Sequence, residues 1–287
     1  MRTTSEAPVA EPQPVSGPAG RPGGADRRAA ASPPRAAAGV EIAALAHSFG
    51  ELRVIERLEL SVRPGEVLGL VGPSGCGKST LLELVGGLRE PRSGTITVGG
   101  QRGPKARLAG CAYMPQRDLL LPWLTAIDNA GLALRNRGAR RAEARRAAHP
   151  LFERFGLAGF ERARPPELSG GMRQRIAFLR TLLAGKPVVL LDEPFASLDA
   201  ITRAEMQEWL AGALAAESRT AILVSHDVEE ALYLSDRVAV LSARPATTVV
   251  ELAAPTPRAL PRRDAVTASA FTAARERALT ALARGPR

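Results

Sequence analysis

The chain is short of cysteine, of aromatics and of lysine. Cys76 and Cys111 are the two cysteines among 287 residues. Two thiols exclude a disulfide framework and suit a reducing compartment. Phe, Trp and Tyr together make up 4% of the chain, too little to interleave with basic residues as a base-stacking surface. No run of 18 or more apolar residues occurs, so no membrane span is expected. The first residues are Ala, Pro, Gly and Arg without an apolar segment, which does not read as a secretory signal. These absences together predict a cytosolic protein.

What is present is arginine and a core. The hydrophobic share of 45% supplies a core for one large domain or two small ones. The net charge is +10, and of 39 basic residues 36 are arginines. Such a balance first suggests nucleic acid. The arginines gather instead at Arg135–Arg146 and in the C-terminal stretch. They read as a solvated, arginine-biased surface, with anionic lipid headgroups as the alternative and no nucleic-acid partner.

Against that bias, Lys78 stands out. It belongs to Gly72-Pro73-Ser74-Gly75-Cys76-Gly77-Lys78-Ser79, a full match to the phosphate-cradling loop G-x-x-x-x-G-K-[ST]. Val67–Val71 before it reads as a buried strand, and the residues from Thr80 onward read as a helix. The glycines let successive N–H groups face one anion, and the helix start adds partial positive charge. A compact ammonium fits between phosphate oxygens where a planar guanidinium would not. Lys78 is expected on the outer phosphates and Ser79 on Mg²⁺.

Two acids follow a second apolar strand, Val188–Leu191. Asp192 suits a Mg²⁺-bound water, since that ion prefers oxygen ligands. Glu193 would orient or deprotonate the attacking water. A second anion-binding device is Ser169-Gly170-Gly171 at the start of a helix, preceded by Leu168 and followed by Met172. One nucleotide does not need two such devices from one chain. A head-to-tail dimer explains both, each ATP lying between the loop of one copy and the Ser-Gly-Gly helix of the other.

At these residues the sequence resembles the ATP-binding subunits of ABC transporters, over about Val40 to Ala254. Gly72–Ser79, with Thr80 after it, matches the Walker A loop. Val188–Asp192 matches Walker B, with Glu193 at the catalytic glutamate. Leu168–Met172 matches the signature motif, Met172 replacing the usual Gln. The resemblance implies that Gln116 senses γ-phosphate and Mg²⁺ beside the permease contact. It further implies that Ser197-Leu198-Asp199 is the D-loop at the dimer interface, His226 the switch histidine and Phe49 the adenine-stacking aromatic. Met114–Trp123, Glu193–Asp199 and Leu241–Pro245 look similar to the nitrate, sulfonate and taurine importer branch, whose relatives also import the pyrimidine precursor of thiamine. Leu119–Trp123 is read two ways, as a permease groove or as buried core.

The resemblance implies an α/β fold: a P-loop NTPase of ABC type, a mainly parallel sheet core, an antiparallel β subdomain and a helical subdomain at about 119–180. Residues 1–39 are expected to be a disordered extension. Residues 40–254 would form the ATPase, and 255–287 a tail with a helix at Ala265–Leu282. The implied activity is ATP hydrolysis, with ATP and Mg²⁺ bound, at the cytoplasmic face of the membrane as a peripheral protein. The implied partners are a second copy, permease subunits and, indirectly, an extracytoplasmic solute-binding protein. A soluble ABC ATPase acting on DNA or ribosomes is the rival, disfavoured by one cassette and no heptads. Cys76 is either a small residue that fits or a thiol of lowered pKa at a helix start. In the second case alkylation would block ATP binding.

Overall fold

A computed structural model describes residues 37–196, 198–216, 219–255 and 260–284. Residues 1–36 of the extension expected at 1–39, and Ser197 of the D-loop, lie outside these residues.

Two sheets organise the chain. The first joins β1 (Val40–Phe49), β2 (Leu52–Val62) and β4 (Ser93–Val98), with β1 in the middle and all pairing antiparallel. The second runs in the order β5 (Cys111–Met114), β6 (Val188–Asp192), β7 (Thr220–Ser225), β3 (Val67–Val71), β8 (Arg237–Leu241), β9 (Thr248–Ala253). Its neighbours are parallel except β9, which returns antiparallel to β8. The antiparallel strand β9 was not expected from the sequence.

The parallel strands are continuously apolar because both faces are covered. Their side chains alternate between two cores at period two. Val67 and Val71 of β3 join the core under the helices, and Leu68 and Leu70 join the core shared with the antiparallel sheet. Strands β6, β7 and β8 divide in the same way.

Helix α1 (Lys78–Val85) follows β3, and α2 (Pro104–Gly110) precedes β5. Next come α3 (Ala126–Ala130), α4 (Leu132–Asn136), α5 (Arg141–Arg154) and α6 (Gly170–Leu183), which form the helical part. Helix α7 (Ala200–Ala216) precedes β7, and α8 (Val228–Leu234) joins β7 to β8. Helix α8 lies close on β3 at Gly69, where an added Cβ would stand 2.7 Å from Ser235 Oγ.

The arginine cluster is not simply solvated. Arg141 and Arg145 both pair with Asp128, which is 1% exposed. Bonds from Arg141 foremost hold the Asp128 carboxyl well below the usual carboxylate range. Asp128 also accepts a bond from Thr125, which caps α3. One buried carboxylate thereby ties α5 to the start of α3.

The expected single C-terminal helix is two, α9 (Arg262–Thr267) and α10 (Ser269–Arg284). Ala265, Phe271 and Ala278 are fully buried in the main core. Arg262 and Arg275 both reach Glu229 at the start of α8. This end of the chain is packed structure rather than a loose tail, because the small and aromatic positions of α10 cover β9 and α8.

Candidate functional site

The loop after β3 turns sharply before α1. Gly75 and Gly77 take φ of 73° and 117°, a region that disfavours side chains. At Gly77 a Cβ would also stand 2.6 Å from Val54 Cγ1. The loop is thus pressed against β2, and Cys76 N–H closes it on the Pro73 carbonyl at 3.2 Å. Lys78, 5% exposed, bonds through Nζ to the carbonyls of Gly72 at 2.8 Å and Pro73 at 3.1 Å. The ammonium is pinned across the loop's mouth.

Beside it, Ser79 Oγ donates to Asp192 Oδ1 at 3.0 Å. Tyr113 donates from its hydroxyl to Asp192 Oδ2 at 2.9 Å. Burial raises the Asp192 pKa, and these two bonds work against that rise. Burial and the Asp192 charge raise the Tyr113 pKa, so its proton stays in place as the donor. A buried carboxylate beside a serine hydroxyl is a hard, all-oxygen pair that fits Mg²⁺. Among the described residues no cluster of three or more His, Cys, Asp or Glu is arranged for a metal. A small protein donor set suits an ion that keeps waters and phosphate oxygens.

Glu193 follows in the left-handed region at φ 44°, unusual for a non-glycine residue. Its N–H bonds to the Val224 carbonyl at 3.0 Å, which locks the turn to β7. Its Oε2 accepts from Gln116 Nε2 at 3.1 Å and lies 3.4 Å from His226 Nδ1. Strained backbone held by its surroundings is a feature of working sites.

A cleft of about 430 Å³ joins these parts. Ser74, Gly75, Gly77, Lys78, Ser79 and Thr80 of the glycine loop line it together with Gln116 and Glu193. Phe49, Leu52 and Val54 form an apolar end. Phe49 is 42% exposed, with His47 edge-on at 5.0 Å and the Arg89 guanidinium 5.1 Å from its ring centre.

Gly72, Pro73, Cys76, Asp192 and His226 sit just behind or beside the cleft lining, whereas Ser169, Gly170, Gly171 and Asp199 lie on other helix starts. Ser169 caps α6 by accepting from Met172 N–H at 3.2 Å, and Gly170 and Gly171 open that helix. Asp199 accepts from the N–H groups of Ile201 and Thr202 at the start of α7. The two helix starts touch, since a Cβ on Gly171 would stand 3.0 Å from Thr202 Cγ2. They form a separate corner on which Ser169 and Asp199 are exposed.

Cys76 corrects an expectation. The thiol is 1% exposed, and burial pushes its pKa up rather than down. It packs behind the loop against Gly72, where burial outweighs the lowering pull of the Lys78 charge and backbone N–H at the helix start. It fills space.

Tyr113 and Arg244 were missed. Tyr113 holds Asp192, yet in sequence it is one residue of an ordinary strand. Arg244 lines the cleft from the turn after β8, 166 positions beyond Lys78. Leu119–Trp123 divides between its two readings. Leu120 is buried, whereas Leu119 and Trp123 are 55% and 68% exposed.

A glycine loop pinned by lysine, a buried aspartate on the loop's serine, and a strained glutamate opposite define a P-loop ATPase. The chain belongs to the ABC transporter family, whose sequence model matches residues 55–196, and it is an ATP-hydrolysing subunit of that kind. It is 46% identical over 202 residues to the formylaminopyrimidine import ATP-binding protein ThiZ of Halalkalibacterium halodurans, covering 70% of this chain and 78% of that protein. It is 45% identical over 206 residues to the aliphatic sulfonates import ATP-binding protein SsuB 1 of Rhodococcus jostii, covering 71% and 79%. The solved dimer of the ATP-binding cassette MJ0796, in a post-hydrolysis state bound to ADP and Pi, matches with a TM-score of 0.65 at 25% identity. That match covers 76% of this chain and 99% of the other. Among the described residues no helix is long and apolar enough to cross a membrane.

Proposed function

We propose that two copies of this chain close head to tail on two MgATP and drive a permease that imports an aliphatic-sulfonate type of solute. The observation that carries this is the division of the site. Loop, Asp192, Glu193, Gln116, His226 and Phe49 meet around one cleft region, while Ser169, Gly170, Gly171 and Asp199 lie outside it. A partner's Ser-Gly-Gly corner completes the pocket.

In this reading the N–H groups from Gly72 to Thr80 cradle the phosphates, and Lys78 neutralises charge on the outer ones. Ser79, Asp192 and Gln116 hold Mg²⁺, which supplies charge neutralisation at the phosphates. Glu193 orients the attacking water, and His226 steadies the terminal phosphate. Phe49 stacks on adenine. Closure assembles these parts only when both copies meet, so chemistry waits for the dimer.

The permease meets the groove of about 490 Å³ below Gln116, lined by Asp118, Leu119, Leu120 and Arg173. Exposed Leu119 and Trp123 offer it apolar anchors, and Arg180 fixes the loop by bonding the carbonyls of Asp118 and Leu119. The chain thereby sits at the cytoplasmic face of the membrane. An extracytoplasmic binding protein delivers solute to the permease.

A second solute reading has its own support, since the ThiZ and SsuB relatives match almost equally. The test is to reconstitute the chain with its permease and binding protein, then measure ATP turnover with a panel of solutes. Stimulation by an alkanesulfonate supports the first reading, and stimulation by formylaminopyrimidine alone replaces it with the second. Turnover indifferent to every solute and to the permease refutes transport.

A further inference from the structure

Two cations line the nucleotide cleft, Lys78 and Arg244. Lys78 Nζ is bonded to its own loop. Arg244 is exposed, and among the described residues no hydrogen bond or ion pair engages its guanidinium. An unpaired cation facing a pocket built for an anion calls for an explanation.

The turn that carries it is rigid. Ser242, 2% exposed, receives Thr247 N–H on its hydroxyl at 3.0 Å and donates to the Ala243 carbonyl at 2.8 Å. Ser242 N–H closes the turn on the Thr247 carbonyl at 3.0 Å. The turn is then fastened to β2. Ala246 N–H bonds the Val54 carbonyl at 2.8 Å, and Glu56 N–H bonds the Ala246 carbonyl at 3.2 Å. Val54 itself lines the apolar end of the cleft. Arg244 is therefore anchored beside the junction of that apolar end with Ser74 and Gly75. Its charge reaches Cys76 Sγ, directly behind the loop.

We infer that Arg244 is a further nucleotide-binding residue, its guanidinium bonding the α-phosphate where the ribose joins it. The inference rests on the reading that this cleft holds ATP. The outer phosphates have Lys78, Ser79 and Asp192; the inner one has only loop N–H groups until Arg244 is counted. A planar fork suits two oxygens of one phosphate. Because the turn is already built, little ordering is lost on binding.

Titrate ATP, ADP and AMP, with Mg²⁺, into the full chain and into Arg244→Gln and Arg244→Lys. Arg244→Gln should lose about tenfold in affinity for all three, the scale of one charge-assisted bond. Arg244→Lys should recover part of that loss. Both should keep the parent's melting temperature, since no protein partner is removed. A Lys78→Ala arm should weaken ATP far more than AMP. Unchanged affinity in Arg244→Gln, or a loss confined to ATP, overturns the α-phosphate contact. A parent chain that binds none of the three nucleotides overturns the ATP reading itself.

Discussion

Gln116 donates from Nε2 to Glu193 Oε2 at 3.1 Å, across 77 residues of sequence. The same oxygen lies 3.4 Å from His226 Nδ1. One carboxylate oxygen thus faces both residues expected to sense the terminal phosphate. The ends of β5, β6 and β7 bring them together, as carboxyl ends of parallel strands do for ligand sites.

Glu193→Gln should keep ATP binding and lose hydrolysis by about 10²- to 10⁴-fold, the usual worth of a positioned base. Gln preserves the shape and can still meet Gln116. Phosphate release and bound nucleotide, measured on one sample, separate the two effects. Turnover near the parent's would remove Glu193 from the chemistry.

Mixed dimers test whether sites are shared. Lys78→Ala and Ser169→Arg should each be nearly inactive alone. Mixed, they leave one pocket with an intact loop and an intact Ser-Gly-Gly corner, so activity should reappear. If each chain completed its own pocket, mixing would restore nothing.

Cys76 should resist labelling in the folded chain. Its thiol is buried and its pKa is raised by that burial, so little thiolate is available. Iodoacetamide should modify it, by mass spectrometry, only after unfolding. Rapid modification in the native protein, with loss of ATP binding, would restore the helix-start thiol.

Glu230 should make stability fall as pH rises. It is 4% exposed, and burial pushes its carboxyl up to about 7. Bonds from Ser225 and from Gln207, whose Nε2 donates at 3.1 Å, work against that rise without cancelling it. The folded chain holds a proton there that the unfolded chain releases near pH ~4.5. Between ~4.5 and about 7 the unfolded state therefore binds fewer protons, and stability drops by about 3 kcal/mol from this group. Glu230→Gln should flatten that window in urea unfolding at several pH values. An unchanged pH slope would show the carboxylate to be solvated or paired.

The sequence by itself determined the cassette. The phosphate loop, the acids after β6 and the Ser-Gly-Gly helix start are contiguous, and their chemistry depends on local backbone geometry. The parallel core was legible too, because strands covered on both faces must be apolar throughout. Tertiary structure decided the rest. Tyr113 reaches Asp192 over 79 residues, and Arg244 enters the cleft only because its turn bonds Val54. Phe271 is core because β9 returns beside β8, and Cys76 is buried because β2 and β8 press on the loop. Such contacts join segments far apart in the chain, and no local periodicity encodes which distant surface a side chain will meet.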